Sequence, residues 1–142
     1  MKISKLMTRN VRTLEPERSI REAATLMADI DSGALLINEG DRLIGMITDR
    51  DIAVRGVADG KGPDCSVRDL MSSDVICARD TDDVLAVAQR MSDAQVRRLP
   101  VVDADDRIVG MVSLGDLSRE AQQSAATTAL EGVSQPGGQH QQ

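Results

Sequence analysis

Asp41-Arg42-Leu43-Ile44-Gly45-Met46-Ile47-Thr48 returns about 65 residues later as Asp106-Arg107-Ile108-Val109-Gly110-Met111-Val112-Ser113. Asp51 answers to Asp116 at the same offset. Working outward, Lys5-Leu6-Met7-Thr8 answers to Asp69-Leu70-Met71-Ser72. Val11 answers to Val75, Ala24 to Ala88, Met27 to Met91 and Asp29 to Asp93. Matches in one order over most of the chain mark a duplicated unit.

Each copy reads as β-α-β-β-α. A short lead-in helix ends near Met7 or Met71, and a brief strand follows around Val11 or Val75. Ser19-Ile20-Arg21-Glu22 has the capping-box pattern, in which the serine takes orphan amides and the glutamate reaches back. Ile20, Ala23, Ala24, Met27 and Ile30 recur at helical spacing as one apolar stripe. In the second copy Asp83 is the expected cap, and Val84, Val87, Ala88 and Met91 form the stripe. Residues 34–37 and 43–47 read as strands split by the turn Asn38-Glu39-Gly40-Asp41. Residues 99–102 and 108–112 repeat this around Asp103-Ala104-Asp105-Asp106. A final helix starts after Thr48 or Ser113.

The expected fold class is therefore α+β. Residues 1–60 form the first repeat with its lead-in helix, 61–66 a linker, and 67–121 the second repeat. Residues 122–142, rich in Gln, Ser and Gly, are expected to be a flexible tail. Three short strands with helices on one face leave the other face uncovered. Two such repeats are expected to pack sheet to sheet about a pseudo-two-fold axis.

Composition removes several function classes. The 142 residues carry a net charge of -6 and contain no Phe, Tyr or Trp. An acidic chain with no aromatic platform is poorly suited to nucleic acid. No apolar run, Ala34-Leu35-Leu36-Ile37 included, approaches the roughly 20 residues of a membrane helix. With no signal-peptide core at the N-terminus, a cytoplasmic location is expected. Cys65 and Cys77 lack metal-ligand spacing, and the sole histidine, His140, lies in the tail. No catalytic residue and no metal ligand is therefore expected. Cys77 and the methionines Met27, Met46, Met91 and Met111 read as core filler.

Gly45-Met46-Ile47-Thr48-Asp49-Arg50-Asp51-Ile52 and Gly110-Met111-Val112-Ser113-Leu114-Gly115-Asp116-Leu117, with Arg97-Arg98-Leu99-Pro100-Val101-Val102-Asp103, resemble the cystathionine-β-synthase (CBS) domain. The chain is similar to a stand-alone tandem CBS pair, or Bateman module, over roughly residues 3–119. The resemblance implies a regulatory adenine-nucleotide site in a cleft between the repeats, for AMP, ADP, ATP or S-adenosylmethionine. It implies no required cofactor, no catalysis, a homodimer and an unidentified regulated protein that reads cleft closure or dimer rearrangement.

Thr48 with Asp51, and Ser113 with Asp116, are the leading candidates. Amides at a helix start favour phosphate oxygens, the hydroxyl adds a donor, and the aspartate can accept from a ribose diol. The same Ser/Thr-x-x-Asp spacing also describes a plain capping box with no ligand. By resemblance, Arg97 and Arg98 reach phosphate, and Thr13 lies where relatives contact base or phosphate. Arg50 is a weaker phosphate candidate. The first repeat has Ser32-Gly33-Ala34-Leu35-Leu36 where the second has Val96-Arg97-Arg98-Leu99-Pro100, so the two sites are not equivalent. Two readings stay open: a nucleotide sensor, and a ligand-free dimerisation or docking module. An enzyme reading lacks a Gly-rich loop, an activated nucleophile and any catalytic barrel.

Overall fold

The computed structural model describes residues 1–130, with side-chain surroundings given to residue 123. The strands and helices, in chain order, are β1 (Thr13–Leu14), α1 (Ile20–Ile30), β2 (Ala34–Glu39), β3 (Arg42–Thr48) and α2 (Asp49–Asp51). The chain continues as a π-helix (Ile52–Val57), β4 (Ala78–Arg79), α3 (Val84–Ala94), β5 (Arg98–Val102), β6 (Ile108–Ser113) and α4 (Leu114–Leu130). Short 3-10 turns at Ile3–Lys5 and Val67–Asp69 are the lead-in helices.

The long helices begin where the sequence places their caps. Ser19 Oγ accepts the Glu22 amide at 3.1 Å, and Glu22 accepts the Ser19 amide at 3.4 Å. Asp83 accepts the Leu85 amide at 2.9 Å and the Met1 ammonium at 3.3 Å. These contacts, the Leu85 amide first, hold the Asp83 carboxyl below its ordinary range. Both α1 and α3 end on a left-handed residue, Asp31 or Gln95, whose amide returns to the last turn.

The chain divides into two compact units. The first-repeat unit comprises Val11–Ile76 with Asp105–Ile108. Its sheet has the order β1-β2-β3, with β1 parallel and β3 antiparallel to the central β2. Its core is Ile20, Ala23, Met27, Leu35, Ile37, Ile47, Val67 and Leu70. The second-repeat unit comprises Met1–Asn10, Cys77–Ala104 and the chain from Val109 onward. Its sheet has the order β4-β5-β6, and its core is Ile3, Met7, Ala78, Val87, Met91, Leu99, Val101 and Val112. Burying a side chain such as Met91 or Leu99 stabilises the unit by roughly 1.5–3 kcal/mol.

The lead-in segments are exchanged. Boundaries at 1–60 and 67–121 describe the repeats as runs of chain, but Ile3 and Met7 sit in the core of the second repeat. Val67 and Leu70 sit in the core of the first. Thr8 and Met111 trade backbone hydrogen bonds of 2.8 and 2.9 Å, as Met46 and Ser72 do at 3.0 and 2.9 Å. The duplicated glycines follow from this docking. A Cβ on Gly110 would lie 2.7 Å from the Thr8 carbonyl oxygen and from Met7 Sδ. A Cβ on Gly45 would lie 2.8 Å from the Ser72 carbonyl oxygen and from Met71 Sδ.

Four details differ from expectation. The first strand of each repeat forms at Thr13–Leu14 or Ala78–Arg79, just beyond Val11 and Val75. Those residues fall in register with Leu36-Ile37 and Val101-Val102 of the central strands. Ala24 is exposed, because Ala23 takes the core-facing position. Cys77 is half-buried rather than buried. Finally, α4 runs to Leu130, through the start of the expected tail at 122, sustained by good helix formers such as Ala and Gln. The remainder of that tail, with His140, lies outside the described residues.

Candidate functional site

Side-chain alternation decides which candidates share a surface. In the first-repeat unit, Leu35, Ile37 and Ile47 turn toward α1 and its core. Ala34, Leu36, Met46 and Thr48 therefore turn to the opposite face. Thr13 pairs with Leu36, Leu36 with Met46, and Ala34 with Thr48. Thr13 and Thr48 thus lie on one face of one sheet, separated by the central strand. In the second-repeat unit, Leu99, Val101 and Val112 turn toward α3, leaving Arg98, Met111 and Ser113 on the other face.

At the end of that face each chain turns into a helix, and the two turns are nearly identical. Thr48 Oγ1 accepts the Asp51 amide at 3.1 Å while Asp51 Oδ2 accepts the Thr48 amide at 2.9 Å. Ser113 Oγ accepts the Asp116 amide at 3.2 Å while Asp116 Oδ2 accepts the Ser113 amide at 2.9 Å. Both are complete capping boxes, so each carboxylate is fixed by the backbone without a ligand. Asp116 is the one buried charged residue among those described, at 8% exposure.

The second carboxylate oxygen is taken by an arginine in both units. Arg119 Nη2 donates to Asp116 Oδ1, and Arg55 Nη2 donates to Asp51 Oδ1 at 3.2 Å. Neither arginine stands out in the sequence, although spacings of i+3 and i+4 on a helix are the available signal. Each Oδ1 keeps one further lone pair, so a diol, which brings two donors, competes with the arginine for it.

The arginine pair is differently placed. Arg97 and Arg98 are exposed, and neither makes an ion pair among the described residues. The Arg97 carbonyl accepts the Leu114 amide at 3.0 Å, which fastens the start of β5 beside Ser113. The corresponding bond in the first repeat runs from the Asp49 amide to the Gly33 carbonyl at 2.9 Å. Gly33 therefore stands where Arg97 stands, and the Asp49 carboxylate packs on it: a Cβ there would meet Asp49 Oδ2 at 2.9 Å. Asp49 Oδ1 also accepts the Arg50 amide at 2.8 Å, so the first repeat fills its helix start with its own carboxylate. Arg50 is exposed and makes no ion pair with Asp49 or Asp51.

Thr13 is half-buried and makes no side-chain hydrogen bond among the described residues. No group of three or more His, Cys, Asp or Glu among the described residues is placed to hold a metal ion. No helix among them is long and apolar enough to cross a membrane.

Comparison with known proteins follows the same duplication. The family model for the CBS domain matches twice, at residues 3–56 and 67–122. The CBS domain-containing protein YhcV of Bacillus subtilis is 38% identical over 129 residues, covering 90% of this chain and 91% of its own. The crystal structure of the CBS domain pair of protein MJ0100, in complex with 5-methylthioadenosine and S-adenosyl-L-methionine, is 30% identical with a TM-score of 0.76. That match covers 87% of this chain and 98% of the other. The crystal structure of CBSX2 in complex with AMP is 25% identical with a TM-score of 0.76, covering 87% of this chain and 97% of the other. Two matched repeats, with sheets and helix starts built alike, place this chain in the CBS domain family, of which it is a tandem-pair member.

Proposed function

We propose that the chain is a regulatory module that binds an adenine nucleotide, AMP, ADP, ATP or S-adenosylmethionine, and has no catalytic activity. The observation that carries this reading is the recurrence, at the end of the sheet face turned away from α1 or α3, of a hydroxyl beside a backbone-fixed carboxylate: Thr48 with Asp51 and Ser113 with Asp116. A carboxylate held in that way accepts from a ribose diol without reorganising. The AMP and S-adenosylmethionine complexes of similar CBS pairs support the ligand class. Arg97 and Arg98, free of ion pairs among the described residues, supply charge for phosphate on the side of the second repeat. The first repeat offers Asp49 in their place, which suits a neutral or cationic ligand such as a sulfonium nucleoside. Thr13 contributes to the first-repeat site from β1.

Binding energy then shifts the chain between arrangements, by cleft closure or dimer rearrangement, and a regulated protein reads the shift. A ligand moves that equilibrium only by its differential affinity. The working form is a cytoplasmic homodimer. The test is a thermal and calorimetric titration with AMP, ADP, ATP and S-adenosylmethionine. A ligand at 100 times its dissociation constant stabilises the fold by roughly 2.7 kcal/mol, and Asp116→Ala removes that gain. Absence of any shift at millimolar concentration, for all four compounds, refutes the reading.

A second reading is favoured by one observation. Both capping boxes are complete with no ligand, and Leu85, 78% exposed, is the most exposed of the large apolar side chains described. A ligand-free dimerisation module keeps its oligomeric mass unchanged by every nucleotide, and Leu85→Glu lowers that mass.

A further inference from the structure

Arg55 and Arg119 each donate to a capping aspartate, but from different positions, i+4 and i+3, and they reach different neighbours. Arg55 Nη2 lies 3.2 Å from Asp51 Oδ1 and 3.3 Å from Ser72 Oγ. Arg119 contacts Asp116 but makes no bond to Thr8, the residue that corresponds to Ser72. The cause is local. Asp51 is followed by a π-helix, whose i→i+5 bonding widens the turn and carries Arg55 across to the docked lead-in segment. Asp116 is followed by an ordinary α-helix, in which Arg119 stacks back on the carboxylate alone.

Ser72 holds the lead-in segment to β3 through the Met46–Ser72 backbone pair, and the same segment leads on to β4. We infer that Arg55 is a positioning residue that ties Asp51 to Ser72, so that a diol ligand taking Asp51 Oδ1 withdraws Arg55 and loosens the Ser72 segment. Occupancy of the first-repeat site is thereby converted into a change in the chain that enters the second repeat. The ligand half of this inference rests on the proposed function; the tie does not.

The tie is tested without ligand, on the full chain, by amide hydrogen exchange. Arg55→Met raises the exchange rates of the Ser72 and Met46 amides roughly two- to five-fold, the range expected for one partly exposed ionic hydrogen bond. Asp51→Asn, in which the amide oxygen can still cap the helix, does the same, and the double variant adds nothing to Arg55→Met. The Thr8 and Met111 amides do not respond to either change. Unchanged Ser72 protection in Arg55→Met, or additive effects in the double variant, overturns the tie.

The release step is tested by linkage with AMP as the probe. Because coupling is reciprocal, Ser72→Ala tightens AMP binding by roughly the same two- to five-fold factor in the wild-type background and leaves it unchanged in Arg55→Met. Equal effects of Ser72→Ala in both backgrounds overturn the release step while leaving the nucleotide reading intact. Failure of AMP, ADP, ATP and S-adenosylmethionine to bind the wild-type chain overturns the nucleotide reading, and the tie is then judged on the ligand-free rates alone.

Discussion

Gly110→Ala tests the exchange of lead-in segments most directly. The new methyl would lie 2.7 Å from the Thr8 carbonyl oxygen and 2.7 Å from Met7 Sδ, where ordinary contact begins at 3.4 Å. Met7 is buried in the core and Thr8 is backbone, so neither neighbour is the loose end of a flexible side chain. To restore contact the Thr8 backbone has to retreat by a good fraction of an ångström. That movement breaks the Thr8–Met111 pair, now 2.8 and 2.9 Å. Overpacking costs about 1–3 kcal/mol and each lost backbone bond about 1 kcal/mol. A net loss of about 3–5 kcal/mol is expected, or a fall of about 9–15 °C in Tm for a chain of this size. Gly62→Ala serves as the control, since nothing lies within 4 Å of its Cβ. Urea unfolding read by circular dichroism measures both variants. A Gly110→Ala loss below about 0.5 kcal/mol, no larger than an ordinary surface change, refutes the reasoning.

The capping boxes and the Asp83 cap make further predictions. Thr48→Ala and Ser113→Ala each remove a side-chain acceptor from a helix start and are expected to lower stability by about 1 kcal/mol in urea unfolding; no loss in either means that the boxes do not hold the turns. Asp83 has a folded-state pKa below its ordinary value of 3.8, so its contribution is fully present at neutral pH. It is lost as pH falls through the folded-state value. Asp83→Asn is therefore expected to make the acid limb of the stability curve shallower below about pH 4, with little change in slope above it. An unchanged acid limb contradicts the assignment.

The duplication made much of the fold legible. Capping boxes at Ser19 and a cap at Asp83 follow from side-chain chemistry that acts within one turn, and both appear in the structure. The strand pairs were legible too, because alternation and turn residues are local signals. Partner choice was not. Met7 is buried and Met71 half-buried, but two repeats with one grammar offer each lead-in two equivalent sheets. The identical Gly-apolar-apolar runs at Gly45 and Gly110 accept either. At the candidate site, Thr48, Asp51, Ser113 and Asp116 were readable as a spacing. Arg55 and Arg119 were missed, because an exposed arginine a turn after an aspartate is common on any helix surface. The π-helix, which sets Arg55 apart, has no composition of its own.

The exchanged lead-ins also bear on synthesis. Residues 1–10 are made about a hundred residues before their partners on β6, a wait of roughly 5–20 s at ordinary elongation rates. The sheet of the first repeat meets the segment that docks on it as soon as Ser72 emerges, and once Ile76 follows its unit lacks only the short Asp105–Ile108 stretch. Until β6 is made, Leu6 and Met7 of the first lead-in lack the core that buries them in the folded chain. The lead-in docked on β3 is thus chain made directly after that sheet, and the one docked on β6 is chain made long before it.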